Sequence, residues 1–326
     1  MFAIIFVLIA ILVQKKVIDG IYKVNTSLKN ITNGDLDEVV SVRTNEEFRS
    51  LSYGINTMVD ALKATIKEVE SRIDAELAFA QAIQLSALPS KITETGECQR
   101  FEAEGVMYTA REVGGDFYDY FIVDKNKLGF VMADVSGKGI PAAMFMMEAK
   151  ALIKQYTLTG IPVCEALYEA NNSLCENNSA NMFVTAFLGI IDLESGVLKY
   201  CNAGHCPPLI SHQEQGYFLL KSKPCLVLGG MENAPYCESE IKLAAGDRLF
   251  LYTDGVTEAS NSKQELYSDD RLLYVINQIP KDVSIKELML MIKQDIDSFA
   301  DGAEQADDIT MLVIEYLGGG SRTSQK

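Results

Sequence analysis

The stretch 130-FVMADVSGKGIPAAMFMM-147 runs from an unbroken apolar segment, through an aspartate and a glycine-flanked turn, into an apolar helical pattern. An apolar run of that length, bounded by a Gly turn, reads as a strand that ends at the aspartate. Its last charged residue, Asp134, is then placed where burial penalises a carboxylate. Three further segments repeat the arrangement. Asp116 stands between Gly114-Gly115 and an aromatic strand in 113-VGGDFYDYF-121, Asp254 ends the run in 249-LFLYTDGVT-257, and Asp307 precedes a strand in 305-QADDITMLVI-314. Asp is a common turn and cap residue, so any one of these has a plain structural reading. Four acids, each beside an apolar strand, favour a shared purpose. If they converge, mutual repulsion raises their pKa values unless a cation lies among them. An oxygen-only donor set favours hard divalent ions, Mg²⁺ or Mn²⁺.

Working outward, strand-like runs fall at 105–111, 117–123, 128–135, 183–192, 197–203, 217–220, 247–254 and 310–316, with helical patterns at about 140–158, 163–177 and 284–299. Turns such as 124-DKNK-127 and 194-ESG-196 separate neighbouring strands as in antiparallel hairpins. Strands in hairpins with grouped helices predict packed sheets with helices outside, an α+β rather than an alternating βαβ arrangement. The tail 318-GGGSRTSQK-326 is predicted to be disordered.

The front of the chain is different. Apolar positions Val17, Ile21, Val24, Leu28 and Ile31 step by three and four. After the turn-rich 32-TNGDLDEVVSVRTNEE-47 a second series runs through Phe48, Leu51, Ile55, Met58, Leu62, Ile66 and Val69, and on through Ile73, Leu77 and Ala80 without a proline. A near-heptad stripe of that length predicts a helix seam that self-associates. The opening 1-MFAIIFVLIAILV-13, followed by Gln14, Lys15 and Lys16, reads as the inner end of a transmembrane helix with a positive flank. That reading places the chain in the cytoplasmic membrane, with its C-terminal domain in the cytoplasm.

The 326 residues, 48% apolar, suffice for a sizeable core. A net charge of −16 repels nucleic-acid backbones and disfavours a nuclease or other nucleic-acid ligand. Seven cysteines without a CxxC pair do not read as a disulfide framework. Cys201, His205 and Cys206 cluster in sequence but have too few partners for structural zinc. The GxG at 137–139 is neither a dinucleotide fingerprint nor a Walker A loop. Lys138 within it reads equally as a phosphate contact or a solvated turn lysine.

Two resemblances extend this reading. Residues 14–66, with NGDLD between two helices and Glu47, Phe48, Leu51, Asn56 and Met58 in the second, resemble a HAMP module. Such modules are parallel four-helix bundles that pass signals in dimers, and 75-AELAFAQAIQLSALPS-90 resembles the linker that precedes a phosphatase module. The blocks 112-EVGGDFYDYF-121, 133-ADVSGKGIPAAM-144, 183-FVTAFLGIID-192, 202-NAGHCPP-208, 249-LFLYTDGVTEA-259 and 307-DDITMLVI-314 resemble, in order, the PP2C-type phosphatase domain of the SpoIIE/RsbU branch.

The second resemblance implies an α-β-β-α sandwich and a metal-dependent protein serine/threonine phosphatase with two Mn²⁺ or Mg²⁺ ions. It acts on a phosphorylated regulator, such as an anti-sigma-factor antagonist, without a covalent enzyme intermediate. Carried over, Asp134 bridges the metals, the Val135 carbonyl ligates, and Asp254 and Asp307 complete the set, with Asp116 at the centre directly or through water. These four aspartates are the candidate catalytic and metal-ligating residues. Asp308 matches a position usually held by Asn and ranks behind Asp307. Gly115 stands where wider PP2C enzymes carry a second acid, and no phosphate-binding arginine is evident. His205 reads as a scaffold residue before a general acid. Asp119 is either support to the site or solvated. The organisation implied is a transmembrane helix end over 1–14, HAMP over 15–66, a helical linker over 67–97, the phosphatase domain over 98–316 and a tail over 317–326. Homodimerisation through the helices is expected. The alternative is a non-catalytic phosphoprotein-binding module of the same fold.

Overall fold

The structure, a computed structural model, describes residues 1–89, 100–176, 178–212, 215–223 and 225–318. The start of the expected phosphatase domain at 98 and nearly all of the expected tail lie outside these. The chain divides into two compact units, Met1–Leu77 and Ala78–Lys326.

In the first unit, α1 (Phe2–Val13) passes through a π-helical turn at Gln14–Ile18 into α2 (Asp19–Thr32), and α3 starts at Glu46 and ends at Ala87, beyond the division. The connector between α2 and α3 is pinned by its own buried valines. Val40 and Val42 pack with Val24, Ile31, Phe48 and Ile55. Asn56 exchanges two 3.0 Å hydrogen bonds with the Val40 backbone, and the Ser52 hydroxyl accepts from the Val42 N–H at 3.1 Å. Gly20 admits the Phe48 ring, which would meet a Cβ there at 2.9 Å. The seam residues Leu51, Met58, Leu62, Ile66, Val69 and Ile73 remain exposed.

The expected membrane-spanning start is corrected. Among the described residues no helix is long and apolar enough to cross a membrane. The apolar helix α1 has 12 residues before polar Gln14, Lys15 and Lys16. At 1.5 Å per residue that is roughly 18 Å, against about 30 Å of hydrocarbon. The expected cytoplasmic-membrane location therefore finds no span to support it among the described residues.

The second unit is built on two five-stranded antiparallel sheets. One has the order β1-β10-β9-β6-β7 and the other β2-β3-β4-β5-β8. Their ranges are β1 Phe101–Tyr108, β2 Phe117–Asp124, β3 Lys127–Val135, β4 Val184–Asp192, β5 Val197–Ala203, β6 Leu209–Ser211, β7 Tyr217–Leu219, β8 Ser239–Lys242, β9 Arg248–Tyr252 and β10 Ile309–Tyr316. Alternation sorts each strand's side chains between two cores. Leu128, Phe130 and Met132 of β3 meet Leu249, Leu251, Leu312 and Ile314 of the other sheet between the layers. Val131, Ala133 and Val135 turn outward onto α4 (Ile140–Leu158) and α5 (Val163–Glu176). On the far side Phe250, Tyr252, Met311 and Val313 pack under α7 (Ser268–Gln278) and α8 (Ile285–Ala300). The result is the expected α-β-β-α sandwich. β3 reads as continuously apolar because both of its faces are covered. A four-residue helical turn, α6 (Asp254–Thr257), follows β9 directly.

Candidate functional site

Strand register gathers the acids at one end of the sandwich. In the β2–β3 pair Phe117 lies opposite Ala133, so Asp116 and Asp134 are neighbours across the hairpin. In the β9–β10 pair Tyr252 lies opposite Met311, which sets Asp254 against the 307–308 segment. Asp116 is buried, and its Oδ2 accepts from the hydroxyls of Thr253, at 2.7 Å, and Thr310, at 2.5 Å. Burial first, then the charge of Asp134, holds its pKa well above the usual carboxylate range, while the two threonines pull the other way. Asp134 is pushed up to about 7 by burial and then by Asp254 and Asp307, with Asp116 hydrogen-bonded to it. Asp254 is raised by burial, then by Glu258 and Asp307.

The backbone is fitted closely around these groups. A Cβ on Gly115 would come within 2.8 Å of the Val135 carbonyl oxygen. A side chain at this position is therefore excluded by space. A Cβ on Gly255 would lie 2.0 Å from the Asp308 carbonyl, so only glycine lets β9 and β10 hand over their acids side by side. Asp308 itself faces inward. Its carboxylate accepts the N–H groups of Ala110, at 2.8 Å, and Gly115, at 2.9 Å, which binds the loop ahead of Asp116 to the start of β10. Asp307 faces outward and pairs with Lys138 at 2.9 Å.

Among the described residues no three His, Cys, Asp or Glu side chains stand together as a group that could hold a metal ion. The four candidate aspartates influence one another's charge, but two are partly committed: Asp116 to threonines, Asp307 to a lysine. The donor chemistry suits a hard divalent ion, and the closed ligand set is not assembled in this arrangement.

Sequence reasoning missed Thr253 and Thr310, whose bonds to Asp116 span 137 and 194 residues and leave no local trace. It also missed Gln84. That side chain is buried near the end of α3, donates to the Gly114 carbonyl at 2.7 Å and accepts the Gly114 N–H at 3.1 Å, two residues from Asp116. Asp119 is not solvated. It is buried against Lys150 and Lys154 of α4. His205 is buried with Nδ1 2.8 Å from the Thr185 hydroxyl, and burial drives its pKa down to about 4, so it is neutral near pH 7. Asn202 closes the turn around it, accepting the His205 N–H at 2.7 Å and donating to its carbonyl at 2.9 Å.

Comparison with known proteins accords with this architecture. Residues 124–317, which include Asp134, Asp254 and Asp307, match the family described as Stage II sporulation protein E (SpoIIE). The chain is 30% identical to protein IcfG of Synechocystis sp., over 87% of this chain and 49% of that protein, so it spans about half that relative's length. It is 27% identical to phosphoserine phosphatase RsbU of Bacillus subtilis, over 86% of this chain and 83% of RsbU. Among solved structures, the SiaA-PP2C domain of Pseudomonas aeruginosa superposes with a TM-score of 0.66 at 21% identity, covering 76% of this chain and 98% of that domain. That last likeness is one of fold.

Proposed function

The chain belongs to the SpoIIE family and carries its PP2C-type phosphatase domain, and on that premise we propose that it is a divalent-metal-dependent protein phosphatase removing phosphate from serine or threonine of a regulatory protein. The observation that supports this reading is that Asp116, Asp134 and Asp254 lie at one end of the sandwich with carboxyl pKa values raised by burial and by neighbouring carboxylates. Carboxylates kept close at that cost are relieved by a cation.

Asp134, Asp254 and Asp307, the Val135 carbonyl and, directly or through water, Asp116 would hold Mn²⁺ or Mg²⁺, two ions in the full complement. Such ions supply Lewis-acid charge neutralisation and a water acidified to near-neutral pKa. The chain's own residues set the stage for that chemistry. Thr253 and Thr310 orient Asp116 by hydrogen bonds to one oxygen. Asp308 and Gln84 fix the 110–115 loop ahead of it. Cys201 and Cys206 offer no competing nucleophile, since burial, the first cause, holds both far from thiolate at neutral pH, Cys206 at about 12.

The finer parts of the proposal concern control and partners. The pinned connector between α2 and α3 and the exposed apolar seam support a HAMP-like module over 15–66 that pairs with a second copy. A helical linker over 67–97 then leads to a phosphatase domain over 98–316. An anti-sigma-factor antagonist is the kind of phosphorylated regulator it would act on.

The test is turnover of a phosphoserine peptide by the full chain with Mn²⁺. Phosphate release that requires the ion and disappears in Asp134→Asn and Asp254→Asn is the expected result. Bound phosphoprotein and bound Mn²⁺ without turnover would replace this reading with the non-catalytic binding module.

A further inference from the structure

Lys138 lies in the turn between β3 and α4, flanked by Gly137 (φ +90°) and Gly139 (φ +76°). Both glycines occupy the left-handed region that side-chain-bearing residues rarely adopt, and a Cβ at either would meet nothing within 4 Å. The lysine thus stands between two glycines at the start of α4, on a long stem. Its ammonium is nevertheless held. It stands 2.9 Å from Asp307 Oδ2 and donates to the Ala306 carbonyl. The other Asp307 oxygen accepts the Asp308 N–H at 2.9 Å. The adjoining cavity, about 240 Å³, is also lined by Glu258, Asp297, Glu304 and Asp307, and Lys138 brings the positive charge to that rim. Both Asp307 oxygens are thus engaged in an arrangement where, among the described residues, no three acids form an ion-holding group.

From this pairing we infer that Lys138 is a tethered counter-ion: its ammonium occupies Asp307 in the ion-free chain and must leave before Asp307 serves a divalent cation, so Lys138 sets the cation affinity of the site. The inference rests on the metal-dependent reading above. The pair is partly exposed, with side chains 40% and 38% accessible, so water and salt weaken it and a doubly charged ion can displace it. The displacement still costs affinity.

The experiment is calorimetric titration of the metal-free full chain with MnCl₂, which reads binding without turnover. Lys138→Met is expected to bind Mn²⁺ about fivefold more tightly, the top of the range for one exposed pair (~1 kcal/mol). Lys138→Arg, which restores a cation, is expected to return to the affinity of the unmodified chain. In an Asp307→Asn background the Lys138→Met substitution is expected to tighten binding clearly less, since only its weaker action on Asp254 remains. Tightening of the same size in that background would show action at a distance and overturn the inference, as would unchanged or weaker binding in Lys138→Met alone. If Mn²⁺ binds the chain and Asp134→Asn abolishes binding while Lys138→Met changes nothing, the counter-ion fails and the metal site stands. If Mn²⁺ binds neither the unmodified chain nor Lys138→Met, both readings fall.

Discussion

Lys150→Met strands a carboxylate in the wall of the domain. Asp119 of β2 is 1% exposed, and Lys150 of α4, 9% exposed at its side chain, is bound to it, with Lys154 at 3.1 Å and 40% exposed. Burial is the first cause lowering the Lys150 pKa, and Asp119 opposes it, so each charge is tolerable through the other. Removing one partner of a buried pair costs roughly 3–5 kcal/mol. Lys154 remains as a second, wetter partner, which brings the expectation to about 2–4 kcal/mol. A domain of this size loses about 2–4 °C in Tm per kcal/mol, so a fall of roughly 5–15 °C is expected by calorimetry on the full chain. Asp119→Leu with Lys150→Met removes both buried charges and leaves Lys154 free to turn to water, so the double variant should recover most of the loss. A Lys150→Met chain within about 0.5 kcal/mol of the unmodified one, or a double variant whose losses simply add, would refute the reasoning.

Two other predictions concern the acids and their support. Gln84→Met conserves volume but leaves the Gly114 N–H and carbonyl without their partner, so thermal denaturation should show a loss of about 2–4 kcal/mol; an unchanged Tm would mean that water replaces both bonds. Asp134, at about 7 in the folded ion-free chain, lies above its unfolded value. The fold therefore retains a proton there between about pH 4 and 7, and stability from this group falls as pH rises through that window. His205, depressed to about 4, works in the opposite sense: its contribution is complete above about pH 6.5 and is lost as pH falls towards 4. Asp134→Asn should consequently stabilise the EDTA-treated chain at pH 7, by on the order of 2–4 kcal/mol, and do little at pH 4. No gain in Tm at pH 7 would count against the repulsion described here.

The sandwich was legible because its central strands are long and covered on both sides. The runs around Phe130, Phe187 and Leu312 announce themselves by composition, and the acids at their ends follow. Strands β6 (LIS) and β8 (SEIK) are too short to show alternation and are held by pairing with β9 and β5 instead. Helix α7 went unread. Its buried contacts at Leu272 and Ile276 sit among polar residues that weaken the stripe. The placement of strand ends could be read, but not which oxygen each acid gives to which neighbour. Asp116 to Thr310, Asp308 to Ala110 and Lys138 to Asp307 are contacts between remote parts of the chain, decided by packing. For the apolar start, composition and the Lys15-Lys16 flank suggested lipid, but no described helix has the length to cross a membrane.

Asp308 has one more consequence. Its carboxylate joins the first turn of the domain to its final strand, at Ala110 and Gly115, nearly two hundred positions apart. A ribosome-bound chain that has not yet released β10 therefore lacks this clip. Such long closures come late, since distant ends must find each other first. Synthesis itself thus delays the fastening of the 110–115 loop until the final strand is free to pair.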